Sequence, residues 1–250
     1  CCSRILNYYC KAFMYRVLGK ILYCFDWLFN RFFADNSCYV CFNKIDWDNI
    51  CKRIIICDSC LSEIKSTSPF LLKNRVKGVL VFSYGIYEGV LRKLLHAKYC
   101  KDPIPYYFLG KKLAEIIKKY NLNFDYIIPI PQSFFKFYSR GFNQSEELAK
   151  SISEEINVPI LNAIKLDQFK CDQADLSIDE RKKNINGKFK SSANAQKMFG
   201  KTICIVDDTY TTGSTIRAAI EAIRHSGVKK CFVFTVARCK KPCLSKLFFR

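Results

Sequence analysis

Apolar residues change their spacing from segment to segment along the chain, and the changes predict alternating strands and helices. Residues 79–84 are a β-branched and aromatic run, which marks a strand. Residues 87–99 place Val90, Leu91, Leu94 and Leu95 at helical spacing, with Arg92, Lys93 and Lys98 opposite. Residues 109–120 repeat that pattern. Residues 126–131 are a short apolar run ending in Pro129 and Pro131, and residues 145–156 are helical, with Glu146 and Glu147 near the positive N-terminus. Residues 166–200 are polar and aperiodic and read as a long functional loop. A strand at 203–206, a helix at 214–226 and a strand at 232–237 complete the pattern. Strand, helix, strand in that order predicts a right-handed parallel unit, and parallel strands with helices between them make an α/β core.

The first thirty residues differ. Residues 5–33 are rich in Ile, Leu, Phe and Tyr but are broken by Lys11, Arg16, Lys20, Asp26 and Arg31. No run reaches the ~18 uncharged apolar residues of a spanning helix, and the clean apolar core of a signal peptide is missing. One or two amphipathic helices with aromatic faces are expected, packed on the adjoining domain, with a seat on a membrane surface as the lesser alternative. The pattern divides the chain into aromatic helices over 1–36, a Cys-rich module over 37–68, an α/β domain over 69–240 and a basic tail over 241–250.

Charge and cysteine usage narrow the function classes. Lys and Arg number 41 against 22 Asp and Glu, a formal charge of +19. Such an excess raises the local concentration of polyanions, so nucleic acid and anionic membrane are the partners to weigh, against a uniformly basic background as the bland account. Fifteen cysteines suggest disulfides, but they are spread over a long Lys-rich chain rather than a dense secreted module. Cys38-x2-Cys41 and Cys57-x2-Cys60, fifteen residues apart, form two knuckles that aim four thiolates at one ion. That set predicts a closed structural Zn²⁺ site, with Cys51 a bystander, and a reducing cytoplasm. No His or carboxylate is spaced to make the site catalytic.

The segment from Ile203 through Val206 to Asp207, Asp208 and Thr211-Thr-Gly-Ser-Thr215 carries the clearest chemistry. A buried strand delivers two adjacent carboxylates to its carboxyl end, where ligands bind in open α/β sheets. The pair can accept hydrogen bonds from a vicinal diol and help hold a hard cation. Thr211, Thr212, Gly213, Ser214 and Thr215 then turn into a helix, offering backbone N–H groups and a helix N-terminus to a phosphate. The bland account is a solvated acidic pair with a Thr/Ser helix cap. Further back, Arg140 and Gly141 come after the Pro-x-Pro strand and could wrap a pyrophosphate, Gly by close approach and Arg by its planar fork. The run Phe134-Phe-Lys-Phe-Tyr138 reads first as core, with base stacking beside Lys136 and Arg140 as the alternative. His96 and His225 fit helical patterns and build no catalytic triad.

Taken together, the four-cysteine module, Tyr84 and Lys98-Tyr99 about the first helix, Arg140-Gly-Phe-Asn-Gln144, Gln173, Leu176, Arg181, Asn184, Phe189, and Val206-Asp-Asp-x-Tyr-Thr-Thr-Gly-x-Thr215 resemble the competence protein F (ComF, or ComFC) family over residues ~35–240. Lys165 stands where that family tends to have Arg, and Cys171 where Thr is frequent. The resemblance implies a type I phosphoribosyltransferase-like fold, a parallel sheet with helices on both faces, preceded by the small zinc module. It implies ribose and Mg²⁺ contacts at the catalytic pair Asp207 and Asp208, with a 5′-phosphate at Thr211–Thr215. Arg140 and Gly141 remain candidates for pyrophosphate or DNA, and Gln173, Arg181 and Asn184, in the polar segment, could close over the pyrophosphate, contact DNA phosphates or simply cap a helix. The family is tied to natural transformation. The expected role is therefore cytoplasmic handling of incoming single-stranded DNA, with phosphoribosyl pyrophosphate as ligand and DNA-uptake components as partners. The alternative is an active phosphoribosyltransferase that delivers phosphoribose to an unidentified base; the sequence leaves open whether catalysis is retained.

Overall fold

The periodicities of the sequence become elements in the computed structural model, which describes residues 37–45, 55–72, 79–96, 101–167 and 189–239. The helices expected over 5–33, Cys51, Lys98, Tyr99, Cys171, Gln173, Leu176, Arg181, Asn184 and the basic tail lie outside the described residues. The chain divides into two compact units, residues 1–57 and 58–250. In the first, the chain doubles back: Ser37 bridges Lys44, the Cys38 N–H donates to Asn43 O at 2.6 Å, and Phe42 takes φ 63° at the turn.

The second unit runs α1 (Asp58–Ser62), β1 (Phe70–Leu71), β2 (Leu80–Ile86), α2 (Gly89–His96), α3 (Ile104–Lys119), β3 (Tyr126–Pro129), α4 (Phe134–Arg140), α5 (Gln144–Ile156), β4 (Ile164–Leu166) and β5 (Phe189–Ser191). A 3-10 helix (Ala193–Met198), β6 (Thr202–Tyr210), α6 (Ser214–Ala222) and β7 (Lys230–Arg238) come next. The main sheet has the order β1-β2-β7-β6-β3, with β2, β7, β6 and β3 parallel and β1 an antiparallel edge. The expected parallel α/β architecture is present. Among the described residues no helix is long and apolar enough to cross a membrane.

Strand residues alternate between two cores, as the period of two requires. Val81, Val233, Ile203 and Ile205 join Ile216, Ala219, Ile220 and Ile223 of α6. Phe82 and Phe234 turn the other way and stack at 4.8 Å, with Phe124 edge-on to Phe234. On that side α3 packs on β2 and β7, and α5 on β3 and β6. Ile203 to Val206, with neighbours on both edges and cores on both faces, are fully buried, hence the unbroken apolar run. The sheet turns polar along one row: Ser83 pairs with Thr235 and Thr235 with Asp207, and the two hydroxyls lie 2.7 Å apart.

Three expectations change. Helix α3 begins at Ile104, five residues before the periodic apolar positions, because the Asp102 carboxylate accepts the Ile104 N–H at 2.9 Å and Pro103 precedes it. β6 continues past Val206 to Tyr210, so the acidic pair sits inside the strand. The stretch expected to be loop to residue 200 holds β5 and the 3-10 helix after it. β5 pairs antiparallel with β4, and Lys190 Nζ meets Asp167 Oδ2 at 2.9 Å across the pair. His96 and His225 are both exposed.

Helix α3 lies so close to α5 that a Cβ at Gly110 would stand 2.6 Å from Ser151 Cβ and 2.8 Å from Leu148 O. Gly to Ala gains about 1 kcal/mol at an exposed helix position, but overpacking costs about 1–3 kcal/mol. The backbone carbonyl cannot rotate aside, so the second effect wins. Gly110→Ala is expected to lower the midpoint of thermal unfolding; a raised midpoint would mean the helices are not in contact there.

Candidate functional site

The site is built at the carboxyl ends of β3 and β6, which lie side by side with Pro129 opposite Val206. Asp207 is buried at 8% exposure, and one of its oxygens, Oδ1, accepts both the Asp208 N–H at 2.9 Å and the Ser145 hydroxyl at 3.1 Å. Burial first, and then the neighbouring Asp208 charge, pushes the Asp207 carboxyl up to about 7, against the pull of the Asp208 N–H, Ser145 and Lys136. Asp208 is half-exposed. One carboxyl is thus buried and held by donors while its neighbour faces water.

Beyond Tyr210 the chain turns over Thr211 and Thr212 to Gly213, whose φ of 74° caps α6. A Cβ at Gly213 would fall 2.3 Å from the Tyr210 hydroxyl, so backbone strain and space both require glycine. Thr212 Oγ1 donates to Ser214 Oγ at 3.0 Å, and Arg217 Nη1 donates to Thr212 O at 2.6 Å. Thr211 and Thr212 are exposed, Ser214 and Thr215 half-buried. The arrangement is a short, hydroxyl-rich turn at the N-terminus of a helix, beside a carboxylate pair. It can take an anion on one side and a diol or hard cation on the other.

Arg140 and Gly141 fall at the end of α4, where Gly141 takes φ 81° and returns its N–H to Phe137 O at 2.7 Å. Gln173 and Arg181 lie outside the described residues. Sequence reasoning gave no role at the site to Ser145, and quoted Asn143 only within the Arg140-Gly-Phe-Asn-Gln144 motif. Asn143 caps α5, its Oδ1 accepting the Ser145 N–H at 3.1 Å, while its Nδ2 holds Ile130 O at 3.1 Å. This fixes the hydroxyl of Ser145 toward Asp207. The Asn-x-Ser cap at 143–145 was the available signal, but its target stands 62 residues away in sequence.

The cysteine knuckles also assemble. Cys38, Cys41 and Cys57 come together with Cys60, three residues beyond Cys57, and their sulfur atoms all lie within 4.8 Å of one another. Cys38 Sγ accepts the N–H groups of Val40 and Cys57, each at 3.4 Å. Burial pushes the Cys38 thiol up, but N–H donors from Cys41, Cys57 and Val40 outweigh it and hold it below its ordinary value. Four sulfurs at this spacing fit a structural metal.

Residues 109–246, more than half of the chain, match the family model described as phosphoribosyl transferase domain. Among curated relatives, competence protein F of Haemophilus influenzae is 32% identical over 45% of this chain and 49% of its own length. The DNA utilization protein YhgH of Shigella flexneri is 30% identical over 46% and 49%, and competence protein ComFC of Streptococcus pneumoniae 27% identical over 50% and 53%. The chain spans about half the length of the curated relatives it matches. It belongs to the phosphoribosyl transferase domain family, and within it to the ComF/ComFC proteins.

The buried carboxyl gives a pH test. Folding raises Asp207 from its ordinary 3.8 to about 7. Its favourable contribution is therefore complete below about pH 4 and is lost as the pH climbs toward 7. Without added divalent cation, the melting temperature of the wild type should fall through that window relative to Asp207→Asn. Parallel profiles for the two proteins would contradict the burial of this carboxyl.

Proposed function

We propose that the pocket at the end of β6 binds phosphoribosyl pyrophosphate, or the ribose-5-phosphate group of a larger ligand, and that the protein acts in the cytoplasmic handling of incoming single-stranded DNA during natural transformation. The observation that carries the ligand assignment is the contiguity of Asp207, Asp208 and the Thr211–Thr215 turn at one sheet edge. In this reading the turn and the first N–H groups of α6 take the 5′-phosphate, and the acidic pair accepts the ribose hydroxyls. Asp207 and Asp208 would also help to hold Mg²⁺ brought in with the ligand, and the ion would supply positive charge to the pyrophosphate. Ser145 keeps one oxygen of Asp207 occupied, leaving the other for the ligand side. Arg140, Gly141, Gln173 and Arg181 are the candidate contacts for pyrophosphate or DNA in this reading.

The DNA role is supported by the names of the relatives, competence protein and DNA utilization protein, and by the +19 charge. Components of the DNA-uptake machinery are the protein partners this role implies. The second reading, transfer of phosphoribose to a base, is favoured by the same intact acidic pair, since a protein that only bound DNA would have no need of two adjacent carboxylates at a phosphate site.

Phosphoribosyl pyrophosphate with Mg²⁺ is expected to raise the melting temperature, because a ligand bound to the native state alone shifts unfolding. Asp207→Asn with Asp208→Asn should abolish that shift without unfolding the protein. An equal shift in the double variant would remove the acidic pair from the site.

For the cysteine cluster we assign Zn²⁺. Protein purified without chelators is expected to hold about one zinc per chain, and Cys38→Ser to lower both zinc content and solubility, since the metal supplies folding energy to so small a module. Metal analysis that finds no zinc would refute the assignment.

A further inference from the structure

Among the described helices of the second unit, α4 stands apart: it buries none of its residues. Phe134, Phe135 and Tyr138 are 51%, 69% and 72% exposed, and Phe137 is exposed as well. The reading of this run as core is therefore corrected. Aromatic side chains are costly to leave in water, and four on two turns form an apolar patch of the kind that marks a binding surface. The patch is not loosely hung. Ahead of it the Gln132 amide donates to Phe142 O, and behind it Asn143 Nδ2 donates to Ile130 O, so both ends of the segment are tied to each other and to the end of β3. Gly141, in the left-handed region, closes the helix and turns the chain back inward.

We infer that the exposed face of α4 is a platform on which bases of a single-stranded nucleic acid stack; this rests on the strand-handling reading above. Phe134 and Tyr138, one helical turn apart, hold their rings within 25° of parallel with centroids 6.5 Å apart, and Phe135 stands edge-on to Phe134. Flat faces presented side by side suit successive bases, and every base has a π-face, so such a platform tolerates any sequence. The charge is complementary. Lys136 and Arg140 lie on the same helix, flanking the rings, in a chain of net charge +19, and supply cations for the phosphates of a strand that wraps it. A purely apolar protein partner has no use for them. The position matters too. α4 leaves the end of β3, the strand beside β6, and Lys136 is close enough to Asp207 to pull its carboxyl down. α4 is thus joined directly to the strand that borders the ligand pocket.

Binding of a fluorescent oligonucleotide to the full chain, titrated against salt, tests the inference. The wild type is expected to bind at low salt and to weaken along a log–log slope of about −0.7 per phosphate contact. Phe134→Ala with Tyr138→Ala should weaken binding about tenfold or more at every salt concentration. The slope should not change, because the rings carry no charge. An oligonucleotide with abasic sites should bind wild type as weakly as the alanine pair binds the intact strand. Phe134→Tyr with Tyr138→Phe keeps the rings and should bind as the wild type does. No binding by the wild type at low salt would overturn the strand-handling reading itself. Wild-type binding that the alanine pair leaves unchanged would overturn the platform alone. So would an alanine pair that loses binding to anionic phospholipid vesicles while keeping the oligonucleotide, which would make α4 a membrane contact.

Discussion

The structure of the site depends on one hydrogen-bonded carboxylate. Asp207 sits where a central parallel strand passes from apolar core to ligand edge, and a charge there is expensive unless its oxygens are occupied. One oxygen takes two donors, the Asp208 N–H and the Ser145 hydroxyl. Supplying the second donor requires the N-terminus of α5 to reach the end of β6. That in turn requires Asn143 to cap the helix and hold Ile130, and α3 to back it closely enough that position 110 admits no Cβ. Much of the packing on that side of the sheet can be traced outward from this carboxyl.

The phosphate turn is constrained from the other core. Tyr210 fills the space under Gly213, packs edge-on to Phe70 at 5.1 Å, and Phe70 carries the Arg238 guanidinium over its ring at 5.4 Å. The edge strand β1, two residues long, thereby supports a ring beneath the turn. Loop geometry that looks local is set by residues at three separate places in the chain.

How much was legible in the sequence depends on how local the chemistry is. β6 and the turn to α6 were legible because strand, acidic pair, glycine and helix cap are contiguous, and the cysteine knuckles because their spacing is itself the geometry. Ser145 was not, since nothing near it in sequence tells that its hydroxyl meets a carboxylate of another strand. The strands Ile164–Leu166 and Phe189–Ser191 are three residues each and too short to show a period. α4 misled for a different reason: its composition says core, and its exposure is a property of where the chain goes before and after it, at Gln132 and Gly141.

The polar row that crosses the sheet at Ser83, Thr235 and Asp207 has a meaning for how the strands find one another. Side chains alternate faces with a period of two, so sliding β6 by one residue against β7 would send its whole apolar set to the wrong core. It would also part Asp207 from Ser145 and offset the row from the hydroxyl pair of Ser83 and Thr235, leaving polar groups without partners among hydrocarbon. Misaligned sheets are thereby made unfavourable by the same atoms that line the edge of the pocket. The row therefore fixes the register of the sheet as well as one wall of the pocket.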